Sequence, residues 1–212
     1  MGVLLYGTFV HTFWVSSLIC FLIDYFLTDL RVNGHRLTQA LVLSDYYKML
    51  PLVASNIVSA YPFFYAVEEI MLSRHAPNTW PLFVNLLAWL VTTDVLFYTI
   101  HRAFHSKHLY FIHAVHHQFK YTYGMGAIYA HPIEFYMANL VPVAVPLVVF
   151  RIPLRVCDFI VLFATLYTII VSHGGFKLKL ASGHLYHHLK YKYNFGLFKT
   201  DKVLGTRYMA LE

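Results

Sequence analysis

The sequence contains few cysteines and few charged residues. Of its 212 residues only two are cysteine, and only 12% are Asp, Glu, Lys or Arg. Cys20 and Cys157 both lie inside apolar stretches, so we predict neither a disulfide framework nor a thiolate metal site and interpret both as packing residues. The low charge and the hydrophobic content of 58% exclude an ordinary soluble domain.

Linker sequences are missing as well. No glycine- or serine-rich tract, low-complexity segment or long-period repeat divides the chain, so we predict a single folded unit. The first apolar segment has no basic region before it and no clear cleavage site, which favours a retained membrane anchor over a signal peptide. After Val171 the composition becomes polar and basic, which indicates an extension of the same domain outside the membrane.

Long apolar stretches are abundant. Val3–Ile23, Met49–Val67 and Leu82–Ile100 each approach the roughly 20 residues that a helix needs to cross a bilayer. Two shorter stretches, Phe135–Phe150 and Val156–Val171, reach only about 24 Å each and predict a hairpin with both outer ends on one side, whether or not it spans the membrane. The predicted fold is an all-α integral membrane protein with four to five membrane helices and a histidine-rich helical cap.

Histidine is the abundant polar residue, and eight of the 14 histidines fall in the motifs HRAFH, HAVHH and HLYHH. Random placement would give about 0.06 HxxHH matches per chain, whereas two are present. Histidines at i, i+3 and i+4 project from one helix face, so each motif can direct several ring nitrogens to one point and predicts a metal site. The motif histidines are His101, His105, His113, His116, His117, His184, His187 and His188.

Two isolated histidines extend this set. His131 precedes the fourth apolar stretch and His173 follows the fifth, so the predicted topology brings both to the membrane boundary where the motifs lie. A single histidine at a helix end is more often a capping residue, but the shared level favours ligands here. Ten ligands would supply two ions with four or five nitrogens each. The remaining histidines, His11, His35, His75 and His108, are expected to be structural.

Asp94 and Tyr98 lie on the same helical stripe as His101 and His105. A buried acid in a membrane helix is costly without a partner. We predict that Asp94, directly or through Tyr98, orients a ligating ring. An interhelical hydrogen bond without catalytic consequence is the alternative.

The donor set narrows the choice of metal. Imidazole suits zinc, copper, iron and nickel, while the lack of cysteine ligands and the excess over four donors argue against a closed structural zinc site. A redox pair with open positions for dioxygen is the better use of so many neutral donors.

Basic residues are more numerous on the histidine side, which predicts that this side faces the cytoplasm. They are Arg31, Arg36, Lys48, Arg102, Lys107, Lys120, Lys177, Lys179, Lys190, Lys192, Lys199, Lys202 and Arg207, against Arg74, Arg151 and Arg155.

The stretch from TDVLFYTIHRAFH through HAVHHQFKYTYGMGAIYAHPIEF, followed by SHGG, HLYHH and NFGLFKTDKVLGT, resembles the fatty acid hydroxylase and sterol desaturase superfamily. The order and spacing match over residues 93–206, and YGMGAIYAHPIE is more similar to sterol 4-methyl oxidases and sterol hydroxylases. The family's histidine motifs correspond to the eight motif histidines, and HPIE and SHGG supply His131 and His173. Two departures, HGGFKLK for HSGYDLP and a missing tryptophan before Asp201, touch no ligand.

The resemblance implies a di-iron lipid hydroxylase or desaturase of the endoplasmic reticulum, with zinc as a possible substitute metal. Dioxygen would be the co-substrate, a membrane lipid the substrate, and a cytochrome b5-type donor or its reductase the source of electrons, with no nucleic acid partner. Residues 1–80 would then form N-terminal membrane helices and residues 81–212 the catalytic region.

The substrate is expected to enter from the bilayer near Tyr121, Tyr123, Met125 and Tyr129, although these residues fit an interfacial aromatic belt equally well. Two other functions are open. A histidine-lined metal transporter would need polar residues across the whole membrane, whereas the candidates collect at one face. A non-catalytic family member is disfavoured by the complete set of motif histidines.

Overall fold

The structure, a computed structural model, describes residues 3–27, 37–73, 80–176 and 183–208. Several residues named above lie outside these ranges. They are Arg31, His35, Arg36, Arg74, His75, Lys177 and Lys179.

Five long helices form the body of the protein: α1 (Leu4–Phe26), α2 (Gln39–Leu72), α3 (Leu82–Phe104), α5 (Pro132–Val149) and α6 (Leu154–Ser172). Each is long and apolar enough to cross a membrane, which confirms the predicted all-α integral membrane fold. Short helices follow α3 and α6, where the histidine motifs lie. These are α4 (Tyr110–His113), α7 (Gly183–Lys190) and α8 (Thr200–Val203), with a 3₁₀ turn at Gly124–Ile128.

Helix α2 is much longer than its predicted apolar segment. It has 34 residues and so extends about 51 Å, more than the roughly 30 Å of a bilayer's hydrocarbon core. Its start is set by Thr38, whose side chain accepts a hydrogen bond from the Leu41 amide as an N-cap. The hydrophobic stretch Met49–Val67 is only the middle of this helix, because hydropathy marks the lipid-facing part and the cap marks the helix start.

Helices α5 and α6 form the predicted hairpin, and both are long enough to span. They contain 18 and 19 residues and are joined by a turn in which Arg151 has a positive φ of 50°. Each contains a π-helical stretch at its histidine end, Phe135–Leu140 in α5 and Tyr167–Ser172 in α6. Both outer ends therefore lie beside the histidine motifs, as predicted from the sequence.

Helix α1 runs antiparallel to α2 and also packs on α6. The pairing is visible at the end far from the histidines, where the buried carboxylate of Glu68 accepts a hydrogen bond from the Leu5 amide. Outward-facing positions remain apolar, with Val58 70% and Phe163 66% exposed. Such a surface is expected where lipid, not water, covers the helices.

Candidate metal centre

Nine histidines converge in two adjacent groups. In each group, one ring nitrogen from every member lies within 4.8 Å of the corresponding nitrogens of all the others. The rings of His117 and His188, from different groups, have centroids 4.5 Å apart. The five-histidine group consists of His101, His105, His113, His117 and His187, and the four-histidine group of His116, His173, His184 and His188.

Each HxxHH motif is divided between the two groups. His113 and His117 belong to the five-histidine group, whereas His116 between them belongs to the four-histidine group. In HLYHH the arrangement is reversed, because His184 and His188 join the four-histidine group and the middle histidine the other. Residues four apart share a helix face, and the residue at i+3 is rotated towards the neighbouring group. The two groups are therefore linked through the same short helical segments, α7 and the turns that continue α4 to His117.

Main-chain carbonyls fix the orientation of the rings. The Nδ1 atoms lie 2.8 Å from the Phe195 carbonyl oxygen for His101, 2.7 Å from Tyr193 for His187, 3.1 Å from Tyr129 for His116 and 2.9 Å from Thr168 for His173. A carbonyl oxygen only accepts, so each Nδ1 carries the hydrogen. The neutral ring then presents an unprotonated Nε2, the form that binds a metal.

Glu134 holds a fifth ring in the same way. Its Oε1 atom lies 2.5 Å from Nδ1 of His113, and both side chains are buried. The carboxylate is carried by the first turn of α5, and His113 ends α4. A carboxylate behind a ligating histidine raises the basicity of the ring and holds it in place.

The distances between facing Nε2 atoms and their protonation states show whether metal ions fit between the rings. Those of His116 and His173 lie 3.2 Å apart, and those of His101 and His113 lie 3.1 Å apart. Because their Nδ1 atoms carry the hydrogens, no proton lies between these lone pairs. Burial also lowers the pKa of His116 to about 4 and that of His173 to about 3, so neither ring is protonated at neutral pH. A cation between the rings relieves this repulsion, and the donor set therefore fits metal ions.

Asp94 acts on the centre through a loop. Its carboxylate accepts hydrogen bonds from the amides of four consecutive residues, 197–200, and from the Thr200 hydroxyl, at 2.8–3.0 Å. This loop carries the Phe195 carbonyl that orients His101. The Tyr98 hydroxyl instead accepts from Arg102 and donates to the Thr206 hydroxyl. Asp94 thus reaches the ring of a candidate ligand, His101, through the loop, and not directly or through Tyr98 as expected from the sequence.

Asp201 stabilises the same loop through hydrogen bonds to its backbone. Its carboxylate accepts hydrogen bonds from the amides of Phe195 and Gly196 and from the Thr206 hydroxyl. A Cβ atom at Gly196 would lie 3.0 Å from oxygens of both Asp201 and Asp94, so glycine allows both carboxylates to approach the same peptide. The loop is therefore fixed by two buried acids, one from a membrane helix and one from α8.

Asn56 plays the corresponding role for the four-histidine group. It is fully buried in α2, and its side-chain amide donates to the carbonyls of Ile128 and Ala130, both at 2.9 Å. Between these two residues lies Tyr129, whose carbonyl accepts from His116. Asn56, Glu134 and Asp201 are not among the site residues predicted from the sequence. A polar residue within an apolar helix was the available signal for Asn56 and Glu134.

His131 is the one predicted ligand that lies in neither group. Its Nδ1 atom accepts a hydrogen bond from the Ile133 amide at 3.2 Å, so the residue is the N-cap of α5. Pro132 follows at the first helical position, the usual place for proline after a cap. His11 and His108 also lie outside the two groups.

The four residues of the expected substrate pocket take different places. Tyr121, Tyr123 and Tyr129 line a small cavity of about 270 Å³ that also touches the four-histidine group. Met125 is buried in the hydrophobic core. Two larger cavities, of about 690 and 600 Å³, lie deeper between the membrane helices, and the second reaches histidines of both groups.

Comparison with known proteins gives consistent matches. The family model for fatty acid hydroxylase matches residues 86–206. A fatty acid hydroxylase of Mycosarcoma maydis is 31% identical over 92% of this chain and 58% of its own length. A putative methylsterol monooxygenase of Dictyostelium discoideum is 28% identical over 96% of this chain and 84% of its own length. Lathosterol oxidase of Rattus norvegicus is 28% identical over 61% of this chain and 47% of its own length.

No solved structure gives a significant match. This chain spans somewhat more than half of the Mycosarcoma relative. The family model covers more than half of the chain and includes both histidine groups and the Asp94 loop. The chain therefore belongs to the fatty acid hydroxylase family, as the resemblance of its histidine motifs indicated.

Proposed function

We propose that this protein is a membrane-bound di-iron oxidoreductase that uses dioxygen to hydroxylate, oxidise or desaturate a C–H bond of a lipid. The observation that carries the proposal is the pair of histidine groups whose unprotonated Nε2 atoms face one another above a cavity between membrane helices. Relatives named as fatty acid hydroxylase, methylsterol monooxygenase and lathosterol oxidase support lipid as the substrate class.

Iron, when bound, would supply the oxidising power, and zinc in its place would fill the sites without redox chemistry. Hydroxylation places one oxygen atom of dioxygen in the C–H bond and releases the other as water, with two electrons and two protons supplied from outside. Desaturation removes two hydrogens from the lipid, consumes the same two electrons and two protons, and releases two waters. The five-histidine and four-histidine groups would each hold one ion.

The residues of the chain would position the ligands and exclude water. Glu134 and the carbonyls of Phe195, Tyr193, Tyr129 and Thr168 hold the rings with Nε2 unprotonated. Neutral ligands leave the positive charge of two ions uncompensated, which favours their reduction. The membrane helices below the centre keep the reacting carbon away from bulk water.

The protein would lie in the endoplasmic reticulum membrane with its histidine side facing the cytoplasm. That side would receive electrons from a cytochrome b5-type protein or its reductase. Exposed basic residues on this side of the described chain support both the orientation and an acidic partner. They are Arg102, Lys107, Lys120, Lys190, Lys192, Lys199, Lys202 and Arg207.

Lipid profiling of cells with and without the chain tests this function, with His188→Ala as the inactive variant and His108→Ala as the matched control outside both groups. We expect an oxidised or desaturated lipid with the wild type and His108→Ala only, and about two irons per purified chain. Unchanged lipids together with altered metal uptake would point to a transporter instead. One metal ion per chain, or none, would contradict the di-iron site.

A further inference from the structure

Two cavities lie end to end inside the helix bundle. The upper cavity, of about 600 Å³, is bordered by histidines of both groups, and the lower one has about 690 Å³; both volumes include space open to the surroundings. They share four lining residues, Ala127, Asn139, Val143 and Thr168. Because the same side chains border both spaces, the cavities are adjacent and together extend from the candidate metal centre into the membrane interior.

The lower cavity is apolar, and its lining residues extend along the helix axes. It is lined by Leu5, Phe9 and Phe13, which follow one another at four-residue intervals on α1. These positions span two turns of helix, about 12 Å. Leu147 and Val67 border it near the ends of α5 and α2 that lie far from the histidines. Its shape and lining suit a hydrocarbon chain lying parallel to the helices.

The upper cavity is lined by three buried polar atoms without a hydrogen-bond partner among the described residues: the hydroxyl oxygens of Thr93 and Ser172 and Oε2 of Glu134. Thr93 is 2% exposed and lines this cavity, and its hydroxyl oxygen is buried without a hydrogen-bond partner among the described residues. Three other membrane threonines, Thr99, Thr165 and Thr168, instead donate to the carbonyl four residues earlier. The Thr93 hydroxyl is therefore available to a polar group in the cavity.

We propose that the two cavities form one lipid site, in which the hydrocarbon tail fills the lower cavity and a polar oxygen of the lipid binds the Thr93 hydroxyl beside the histidines. This inference rests on the proposed function and adds where each end of the substrate lies. The lower cavity then limits tail length, with Leu5, Val67 and Leu147 closing its far end. Fatty acyl chains and sterol side chains share the hydrocarbon chemistry that this cavity recognises.

Ala144 provides the test of the tail site. It lines the lower cavity and is 7% exposed, whereas its neighbour Val145 on the same helix is 44% exposed and lines none of the described cavities. Ala144→Phe would fill the cavity, and each methylene it displaces would weaken tail binding about fourfold. Val145→Phe adds an aromatic ring on the lipid-facing side and serves as the matched control.

Photo-crosslinking reports binding without requiring catalysis. A fatty acid and a sterol, each with a diazirine near the end of its tail, are crosslinked to the metal-loaded wild type and both variants, and the labelled peptides are mapped by mass spectrometry. We expect one of the probes to label the α1 and α5 residues of the lower cavity, with labelling reduced at least about tenfold by Ala144→Phe and unchanged by Val145→Phe. Equal labelling of the two variants, or no labelling of these residues by either probe, would overturn the tail site.

The same variants separate this inference from the function on which it rests. If the wild type is labelled in the cavity but oxidises no lipid, the site stands and the proposed function fails. If lipid is oxidised while Ala144→Phe handles long and short tails as the wild type does, the function stands and the tail site fails. Phe64→Ala is the second variant, for use if Ala144→Phe does not fold. It enlarges the lower cavity and is expected to shift oxidation towards longer tails.

The polar end has its own test. Thr93→Val removes the unpartnered hydroxyl, and Thr99→Val removes a hydroxyl of the same helix that already bonds to its own helix backbone. We expect Thr93→Val to raise the KM for the lipid about five- to tenfold, with kcat and iron content less affected. Thr99→Val should leave KM unchanged. A KM that is equal in the two variants would show that Thr93 does not contact the substrate.

Discussion

The Oδ1 atom of Asp94 lies 2.8 Å from the amide nitrogen of Leu197, which is 103 residues later in the chain. This contact joins the middle of a membrane helix to the loop that follows α7. The loop in turn places the Phe195 carbonyl against Nδ1 of His101. A carboxylate inside the membrane region thus sets the orientation of a candidate ligand, although it touches no histidine ring itself among the described contacts.

Asp94→Asn should loosen the candidate metal centre without removing a ligand. The amide group would turn an N–H donor towards backbone donors, so some of the five hydrogen bonds to Asp94 would be lost. We expect metal affinity to fall about ten- to a hundredfold, the usual cost of losing an outer partner of a ligand. Titration with a competing chelator measures it.

Asp158→Asn is the control for this substitution. Asp158 also lies in a membrane helix, but its carboxylate accepts from Thr8 near the ends of α1 and α6 that lie far from the histidines. We expect its metal affinity to equal that of the wild type. An Asp94→Asn protein with wild-type affinity would show that the loop does not orient His101.

Glu134 should be replaceable by glutamine but not by alanine. Glutamine retains an oxygen that can accept the Nδ1 hydrogen of His113, whereas alanine leaves that buried nitrogen without its partner. Glu134→Ala is therefore expected to weaken metal binding about ten- to a hundredfold, and Glu134→Gln to restore most of it. Iron content after chelator treatment and the spectrum of cobalt-substituted protein would distinguish the two. Equal loss in both variants would mean that the carboxylate charge, and not its acceptor oxygen, is required.

Helix spacing and hydropathy predicted much of the fold and of the site. The apolar stretches located all five membrane helices, and the HxxxH and HxxHH spacings identified eight histidines that the structure brings together. The division of each motif between two groups was not predictable, because it depends on which neighbouring helix faces the i+3 position. The carbonyls of Phe195, Tyr193 and Tyr129 were also hidden, since every residue has a carbonyl and only the tertiary fold selects the few that meet a ring.

The cavities could not be predicted from the sequence either. Val67, Ala144 and Leu5 are ordinary apolar residues in their helices, and their common cavity exists only because α1, α2, α5 and α6 leave space between them. His131 shows the opposite case. The His-Pro pair is typical of a helix N-cap, whereas the shared membrane level of His131 and His173 favoured the ligand prediction.

His131 and His173 should therefore respond differently to alanine. His131→Ala removes an N-cap acceptor, which costs about 1 kcal/mol of stability, and is expected to leave the metal content unchanged. His173→Ala removes one of four clustered ring nitrogens and should lower the metal content of the four-histidine group. Metal analysis of the purified variants after identical dialysis decides the matter. Loss of metal from His131→Ala would restore it to the set of ligands that the sequence predicted.

The metal-free protein should lose stability as the pH falls below about 6.5. Burial lowers the pKa of His116 to about 4 and that of His173 to about 3, from the ordinary value of 6.5. Between these values the unfolded chain binds protons that the folded protein excludes, so the free energy of unfolding is highest above pH 6.5 and decreases towards pH 4. The melting temperature of chelator-treated protein in detergent, measured at pH 7.5 and pH 5, reports this loss.

Removal of one buried ring should reduce the dependence on pH. His173→Ala deletes a group that excludes protons in the folded state. It also leaves space beside His116, whose Nε2 lies 3.2 Å from that of His173. The difference in melting temperature between pH 7.5 and pH 5 should therefore be smaller in this variant than in the wild type, whereas His108→Ala, outside both groups, should retain the full difference. A wild type that melts at the same temperature at both pH values would contradict neutral, proton-excluding rings, and with them the argument that the facing Nε2 lone pairs require a cation.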